Sequence, residues 1–398
     1  MRLALEDHLS RKKEQQPARQ PHFFDLQKKA ERDLLNQFFR QGRIVTVRDE
    51  YILQEQEYHA INHPDLSGQQ LQKHFVDHVA RLTKEAPLWQ HGRWVYYPWN
   101  SALVHILNEK PFFRVRTARN RDLITEEEQV NFYNSRIGII GLSVGHSIAL
   151  ALALQGGGGS MKLVDYDSLA LSNLNRIRTG VENIGLKKTE IAERDIYAIN
   201  PYARIETFSG GLNQENLRDF FQKLDIIVDE MDDFPMKVLL RKYAKKYRIP
   251  VITAIDNGDS GLIDIERYDL NPKTDFFHGR IGKISHKELL QLDKRGVGKK
   301  LAQLVGVENH TERMLRSLQG IGKTLVSWPQ IGGTALLNGA AVSYCIRRIV
   351  NNQPLENDRA ILSLDEKLIP DYSSKQKRAH RKKIHTQFRH IFGVERSK

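Results

Sequence analysis

The chain has 398 residues, a hydrophobic share of 40%, a charged share of 27% and a formal net charge of +13. Such a chain can bury a substantial core, and its apolar content excludes wholesale disorder. A single cysteine, Cys345, excludes an intrachain disulfide, a CxxC redox pair and a multi-cysteine zinc site.

The opening residues, MRLALEDHLSRKK, contain neither an uninterrupted apolar core nor a small-residue cleavage site, so the expected location is the cytoplasm. Residues 1–115 are expected to form a mainly helical extension, because apolar residues recur at three- and four-residue spacing over 23–40 and 68–84. An aromatic patch follows, Trp89, Trp94, Tyr96, Tyr97 and Trp99, and its large rings are expected to pack against a neighbouring domain. Thr125 and Glu128 have the spacing of a capping box that opens a helix.

From Arg136 the pattern changes. RIGIIG (136–141), MKLVD (161–165), RIETF (204–208), DIIVD (225–229) and PVITAI (250–255) read as short strands. They alternate with helical periods over 146–154, 186–199, 213–223 and 234–247. That alternation predicts an α/β fold with a Rossmann-like, mostly parallel sheet and flanking helices. The apolar run 137–154 is interrupted by Gly, Ser and His at turn-like positions, so it is not read as a membrane span. Residues 274–326 are charged and read as a helical insertion, and IGGTALLNGAAVSYCIRRIV (331–350) as a small-residue helix packed closely on the sheet. The expected divisions are 1–115, 116–352 and a basic tail, 353–398. Nine Lys or Arg fall within 371–398 against Asp371 and Glu395. Such a run reads as a solvated end, and its phosphate contacts make tRNA or another anionic surface a possible partner.

The chemistry begins at the first strand. Gly141-Leu142-Ser143-Val144-Gly145-His146 joins it to a helix, where backbone N–H groups can face phosphate. Gly141, Ser143 and Gly145 are the candidate nucleotide contacts, although Ser143 and His146 stand where a dinucleotide fingerprint has glycine. Asp165, about twenty residues on, can accept ribose hydroxyls or simply cap the Asp165-Tyr166-Asp167 turn.

Three segments then carry a resemblance: VDYDSLALSNLNR, GLKKTEIAERDIYAINP and IIVDEMDDFPMK. In this order they resemble the HesA/MoeB/ThiF superfamily, bacterial relatives of ubiquitin-activating enzymes. GRWVYYPW, RNRDLIT and GLSVGHS make the MoeY-like branch of that superfamily the most similar. The resemblance implies ATP and magnesium, with Asp165 at the ribose, Asn173 and Arg176 at the phosphates and Lys188 against phosphate charge. It implies Asp232 as the magnesium ligand, with Asp229 or Asp233 as substitutes. It also implies an arginine that reaches ATP from the segment before the first strand, Arg121 or its neighbour Arg119.

The implied activity is an adenylyltransferase that couples AMP to a carboxylate: a ubiquitin-like carrier, a peptide C-terminus or a small molecule. A homodimer is implied as well. Cys345 lies in an apolar helical run, so transfer without an enzyme thioester is expected. No HExxH motif is present, His380, His385 and His390 read as solvated tail residues, and no metal besides magnesium is implied. Two alternatives remain: a tRNA-modifying enzyme like threonylcarbamoyladenosine dehydratase, motivated by the tail, and a non-catalytic nucleotide sensor or scaffold, motivated by Ser143 and His146.

Overall fold

The computed structural model describes residues 19–282 and 284–393. The chain divides into two compact units, Met1–Arg121 and Asp122–Lys398.

The first unit is a helix and sheet mixture: β1 (His22–Phe24), α1 (Lys29–Arg40), β2 (Thr46–Asp49), α2 (Tyr51–Asn62), α3 (Gly68–Glu85), β3 (Arg93–Tyr97), β4 (Ala102–Ile106) and α4 (Glu109–Arg116). Its four strands run in the order β1-β3-β4-β2. Among the described residues, the expected mainly helical extension thus also holds a small four-stranded sheet. Residues 23 and 24, at the start of the stretch read as helix, lie instead in β1, which pairs antiparallel with β3, Phe24 opposite Trp94. Strands of three to five residues show too little alternation to register as a period of two. The aromatic patch is also reassigned. Trp94 and Tyr96 bury against Phe24, Leu35, Phe38 and Leu103 in the core of their own unit.

The second unit opens with α5 (Glu126–Asn134), whose first turn is closed by Thr125 and Glu128 capping each other's backbone N–H. There follow β5 (Arg136–Ile140), α6 (Val144–Leu154), β6 (Ser160–Val164), α7 (Lys188–Ile199), β7 (Arg204–Phe208), α8 (Leu217–Phe221), β8 (Ile226–Asp229), α9 (Phe234–Tyr247), β9 (Val251–Asn257) and β10 (Ser260–Glu266). The 274–326 stretch folds as short helices, α10 (His286–Leu290), α11 (Lys294–Val305) and α12 (Glu312–Gly320). Then come α13 (Gly332–Val350), β11 (Arg359–Ser363), α14 (Leu364–Leu368) and α15 (Lys375–Phe392).

The seven-stranded sheet has the order β11-β10-β9-β8-β5-β6-β7. Strands β9, β8, β5, β6 and β7 are parallel neighbours, and β10 and β11 add an antiparallel edge. This is the Rossmann-like, mostly parallel sheet with flanking helices that the alternation predicts. From β5 the chain builds outward to β6 and β7 on one side and then to β8 and β9 on the other. That reversal places a switch point between β5 and β8, where α/β sheets open a crevice at the strands' carboxyl ends.

The antiparallel edge changes the view of the tail. β11 pairs with β10 along its whole length, and on α15 the residues Ile384, Phe388 and Phe392 recur every fourth position to pack on Val307 and Leu315. Residues 353–398 therefore contribute a strand and a docked helix, and His385 approaches the His310 carbonyl oxygen at 3.3 Å. Among the described residues, no helix is long and apolar enough to cross a membrane.

A buried ion network fixes β8 against α9 and β10. Arg241 is fully buried. It donates to Asp229 Oδ2 at 2.6 Å, Glu266 Oε2 at 2.7 Å and Thr253 Oγ1 at 3.1 Å, and its guanidinium lies over the Phe277 ring. Lys237 adds a second cation to Asp229, Nζ to Oδ1 3.0 Å. Burial alone would raise the Asp229 pKa, but Lys237 and Arg241 outweigh it and hold the carboxyl below its ordinary range. Removing one partner strands the others without water. Arg241→Met is expected to destabilise the second unit by about 3–5 kcal/mol, read as a lower urea midpoint by circular dichroism.

Candidate functional site

The carboxyl ends of β5, β6 and β8, with the segments that follow them, carry most of the residues singled out by sequence. Gly141 leaves β5 with φ +85°, and a Cβ on it would lie 2.4 Å from the Glu230 carbonyl oxygen. Only glycine lets the two strand ends come this close. Gly145, in the first turn of α6, faces Ile139, whose Cγ2 would be 2.9 Å from an added Cβ, so α6 starts tight against β5. The N-terminus of α6 thus points over the switch point, an arrangement favourable to anions.

Asp165 holds this turn from the end of β6. Its Oδ2 accepts from Leu142 N at 2.7 Å and its Oδ1 from Asp167 N at 2.8 Å. Burial pushes its pKa up, while these N–H groups and the Lys188 ammonium pull it back. The carboxylate therefore does two things at once: it ties the glycine turn to β6, and it keeps spare lone pairs at the crevice. Lys188 opens α7 and is buried, with its Nζ 2.8 Å from Asp167 Oδ2 and 3.9 Å from Asp165 Oδ2.

Arg176 reaches the turn from the segment after β6. Its Nε donates to Ser143 Oγ at 2.7 Å and its Nη1 to Asn175 Oδ1 at 2.8 Å. This explains Ser143: the hydroxyl that replaces a glycine receives the arginine. His146, the other departure, is buried and turned away, its Nε2 2.9 Å from Asp195 Oδ2 on α7. Asn173 starts the same short turn as Arg176, with its Oδ1 accepting from Ala170 N at 3.0 Å and its carbonyl from Arg176 N at 3.1 Å.

At the end of β8 three aspartates separate by role. Both oxygens of Asp229 are taken by Lys237 and Arg241. Asp233 caps α9, accepting from Met236 N at 2.9 Å. Asp232 is exposed and, among the described residues, has no hydrogen bond or ion pair. Its charge acts on both Arg176 and Tyr166, which sets it within the same cluster. Arg119 and Arg121 are exposed and fall at the end of the first unit.

Two residues escaped the sequence reading. Asp256, near the end of β9, is 3% exposed; its Oδ1 accepts from Asn338 Nδ2 at 2.7 Å, while its Oδ2 and the Asn338 Oδ1 are buried without partners among the described residues. Asp256 also acts electrostatically on Arg176. Asn338 comes from α13, whose start is tied to the Arg176 segment by Asn175 Nδ2 donating to the Gln330 carbonyl at 2.8 Å. A polar Asn amid the small and apolar residues of 335–342 was the available signal. A cavity of about 440 Å³ lined by Ser135, Asp225, Ile226, Arg248 and Pro250 opens at the opposite, amino ends of β5, β8 and β9, away from the end where such sheets hold ligands.

The sheet order and the glycine turn at its switch point define a Rossmann-like α/β domain. Residues 117–307 match the model of the ThiF family, and the chain carries a ThiF-family domain of the HesA/MoeB/ThiF superfamily. Among its relatives is the uncharacterized protein MT1398 of Mycobacterium tuberculosis (strain CDC 1551 / Oshkosh), 39% identical over 267 residues, which are 67% of this chain and 37% of that one. The molybdopterin-synthase adenylyltransferase of Haemophilus influenzae is 28% identical over 172 residues, 43% of this chain and 67% of that one. The tRNA threonylcarbamoyladenosine dehydratase of the same organism is 30% identical over 145 residues, 36% of this chain and 54% of that one. The chain thus spans little more than a third of the first relative's length and roughly half to two thirds of the other two.

Burial pushes the Asp256 pKa up to about 6. Between the ordinary aspartate range and that value the folded chain keeps a proton that the unfolded chain has lost. Stability therefore falls as pH rises through this window, by on the order of 3 kcal/mol. Asp256→Asn is expected to remove this slope, so that wild type and variant diverge in urea midpoint between pH 4 and pH 7, with the variant favoured at the higher pH.

Proposed function

We propose that the second unit is an ATP-dependent adenylyltransferase of the ThiF, ubiquitin-activating type, which couples a carboxylate to AMP and releases pyrophosphate. One observation carries the reading: a glycine turn, Asp165, Arg176, Lys188 and an unpaired Asp232 converge at the switch point of the sheet. The likeness to the molybdopterin-synthase adenylyltransferase supports it. A solvated surface would not leave one buried aspartate oxygen unpartnered beside the arginine.

In this reading the Gly141–Gly145 turn and the start of α6 receive phosphate, and Asp165 accepts ribose hydroxyls. Arg176, oriented by Ser143, offsets charge that grows as pyrophosphate leaves, with Asn173 donating beside it. Lys188 serves the same end. Its partner Asp167 is half exposed, so the pair opens by rotation of Asp167 while the buried ammonium stays in place. Asp232 suits a hard cation, since it is an exposed carboxylate just beyond a strand end; it would hold magnesium, which would supply further neutralisation of phosphate charge. Arg121, with Arg119 beside it, is the candidate for a further phosphate contact.

Cys345 is buried in α13, and burial pushes its thiol up to about 11. It holds essentially no thiolate at neutral pH, which supports direct transfer of the acyl group without an enzyme thioester. The carboxylate belongs to a ubiquitin-like carrier, a peptide C-terminus or a small molecule, and the enzyme works as a cytoplasmic homodimer. A second reading, modification of tRNA, is favoured by α15, where Lys375, Lys377, Arg378, Lys382 and Lys383 are exposed on one docked helix, and by the likeness to the tRNA threonylcarbamoyladenosine dehydratase.

Radiolabelled ATP–pyrophosphate exchange tests the proposal, run with magnesium, candidate carboxylates and total tRNA. Exchange is expected, and Arg176→Ala and Asp232→Ala are each expected to lower it about 100- to 1,000-fold at unchanged melting temperature. Stimulation by tRNA alone would select the second reading. ATP binding without exchange under any condition would leave a nucleotide sensor.

A further inference from the structure

The first unit holds a cluster of imidazoles that the adenylation reading does not use. Two histidine pairs stand four residues apart on consecutive helices: His59 on α2 with His63 just past its end, and His74 with His78 on α3. On a helix that spacing puts both rings on one face. The connection between α2 and α3 then turns the two faces toward each other, and one ring from each helix meets at hydrogen-bond distance, His59 Nε2 to His74 Nδ1 3.0 Å. His63 closes the group, its ring centroid 4.4 Å from that of His59 and 4.7 Å from that of His74. One ligand nitrogen from each of the three rings lies within 4.8 Å of the other two.

We propose that His59, His63 and His74 form a binding site for a divalent transition metal of the zinc class. Tetrahedral zinc holds imidazole nitrogens at about 2.0–2.1 Å, which separates two such nitrogens by about 3.3 Å. The 3.0 Å pair already has that spacing, and side-chain rotation brings in the third ring.

The surroundings agree with the chemistry. His63 Nδ1 lies 2.9 Å from the His59 carbonyl oxygen. It donates its proton there, which leaves Nε2 with the lone pair that a metal takes; ligating histidines are commonly oriented in this way. His59 is buried, and a neutral imidazole there is the form that binds metal. Phe75, also buried, walls the site with its ring 5.6 Å from His59.

His78 borders the cluster, its ring 5.1 Å from His59. Its Nε2 is 3.3 Å from Glu55 Oε2, and Glu55 Oε1 accepts from the Tyr51 hydroxyl at 2.6 Å. Three ligands with an imidazole–carboxylate pair alongside leave a fourth position for water or another small ligand. His63 and His74 are only half buried, so the ion has a path from solvent. Imidazole donors also accept copper and nickel, and zinc is the probe chosen.

The full chain, stripped with EDTA and dialysed, is titrated with Zn²⁺ against a chromophoric indicator and, separately, with Co²⁺ by visible absorption. One Zn²⁺ per chain is expected. His63→Ala and His74→Ala should each weaken it at least about 100-fold, more than the loss typical of outer-shell changes, whereas His380→Ala on α15 should leave it unchanged. Zn²⁺ should raise the melting temperature of wild type and of His380→Ala only. Absence of stoichiometric binding, or wild-type affinity in both cluster variants, would overturn the proposal. If those variants do not fold, the wild-type Co²⁺ spectrum decides: intense tetrahedral bands support the site, and weak octahedral bands overturn it.

Discussion

Arg241 joins Asp229 at the end of β8 to Glu266 at the end of β10, and much of the second unit is arranged around that bridge. An arginine with no solvent contact must find acceptors for its N–H groups within the protein. It finds them on two strands and on Thr253 of β9, so the parallel half of the sheet and its antiparallel edge are locked in register by one side chain. Glu266 completes the set by accepting from Phe277 N at 2.7 Å and from the Tyr268 hydroxyl, which fixes the chain as it leaves the sheet. Replacing such a network with apolar groups of equal volume can be neutral. Here its consequence is positional, because it immobilises the aspartate from which the Asp232 loop departs.

The site beside it is built on the same economy of pairing. Asp229 and Asp233 are committed to a salt bridge and a helix cap, and Asp232 between them is not. Asp165 ties the glycine turn to β6, Ser143 turns Arg176 inward, and Lys188 is buried at the head of α7. Each of these local contacts costs little to form, and together they bring two cations and a free carboxylate to the end of the sheet where the backbone N–H groups of α6 are also directed.

Much of this was legible in the sequence because it depends on local periodicity. The five parallel strands and the helix over 234–247 follow from alternating apolar runs, and the residues from Gly141 to Asp232 follow from an ordered set of motifs. What was missed depends on pairing across distance. β1, β2 and β11 are short strands that acquire meaning only beside a partner, and β10 is announced only by the two-residue turn Gly258–Asp259. The basic composition of 371–398 concealed the fourfold spacing of Ile384, Phe388 and Phe392, which docks α15. Asp256 and Asn338 come together from positions 82 residues apart, with no motif to connect them. The histidine cluster was different: its two four-residue spacings were visible, but only the packing of α2 on α3 joins them.

The reaction proposed for this site is attack of a carboxylate on the α-phosphorus of ATP. Phosphorus NMR of the products, formed from ATP and magnesium with candidate carboxylates, tests it most directly. AMP, free or still bound as the acyl-adenylate, and pyrophosphate are expected in equal amounts. Accumulation of ADP and inorganic phosphate would show cleavage at the γ-phosphorus and contradict it.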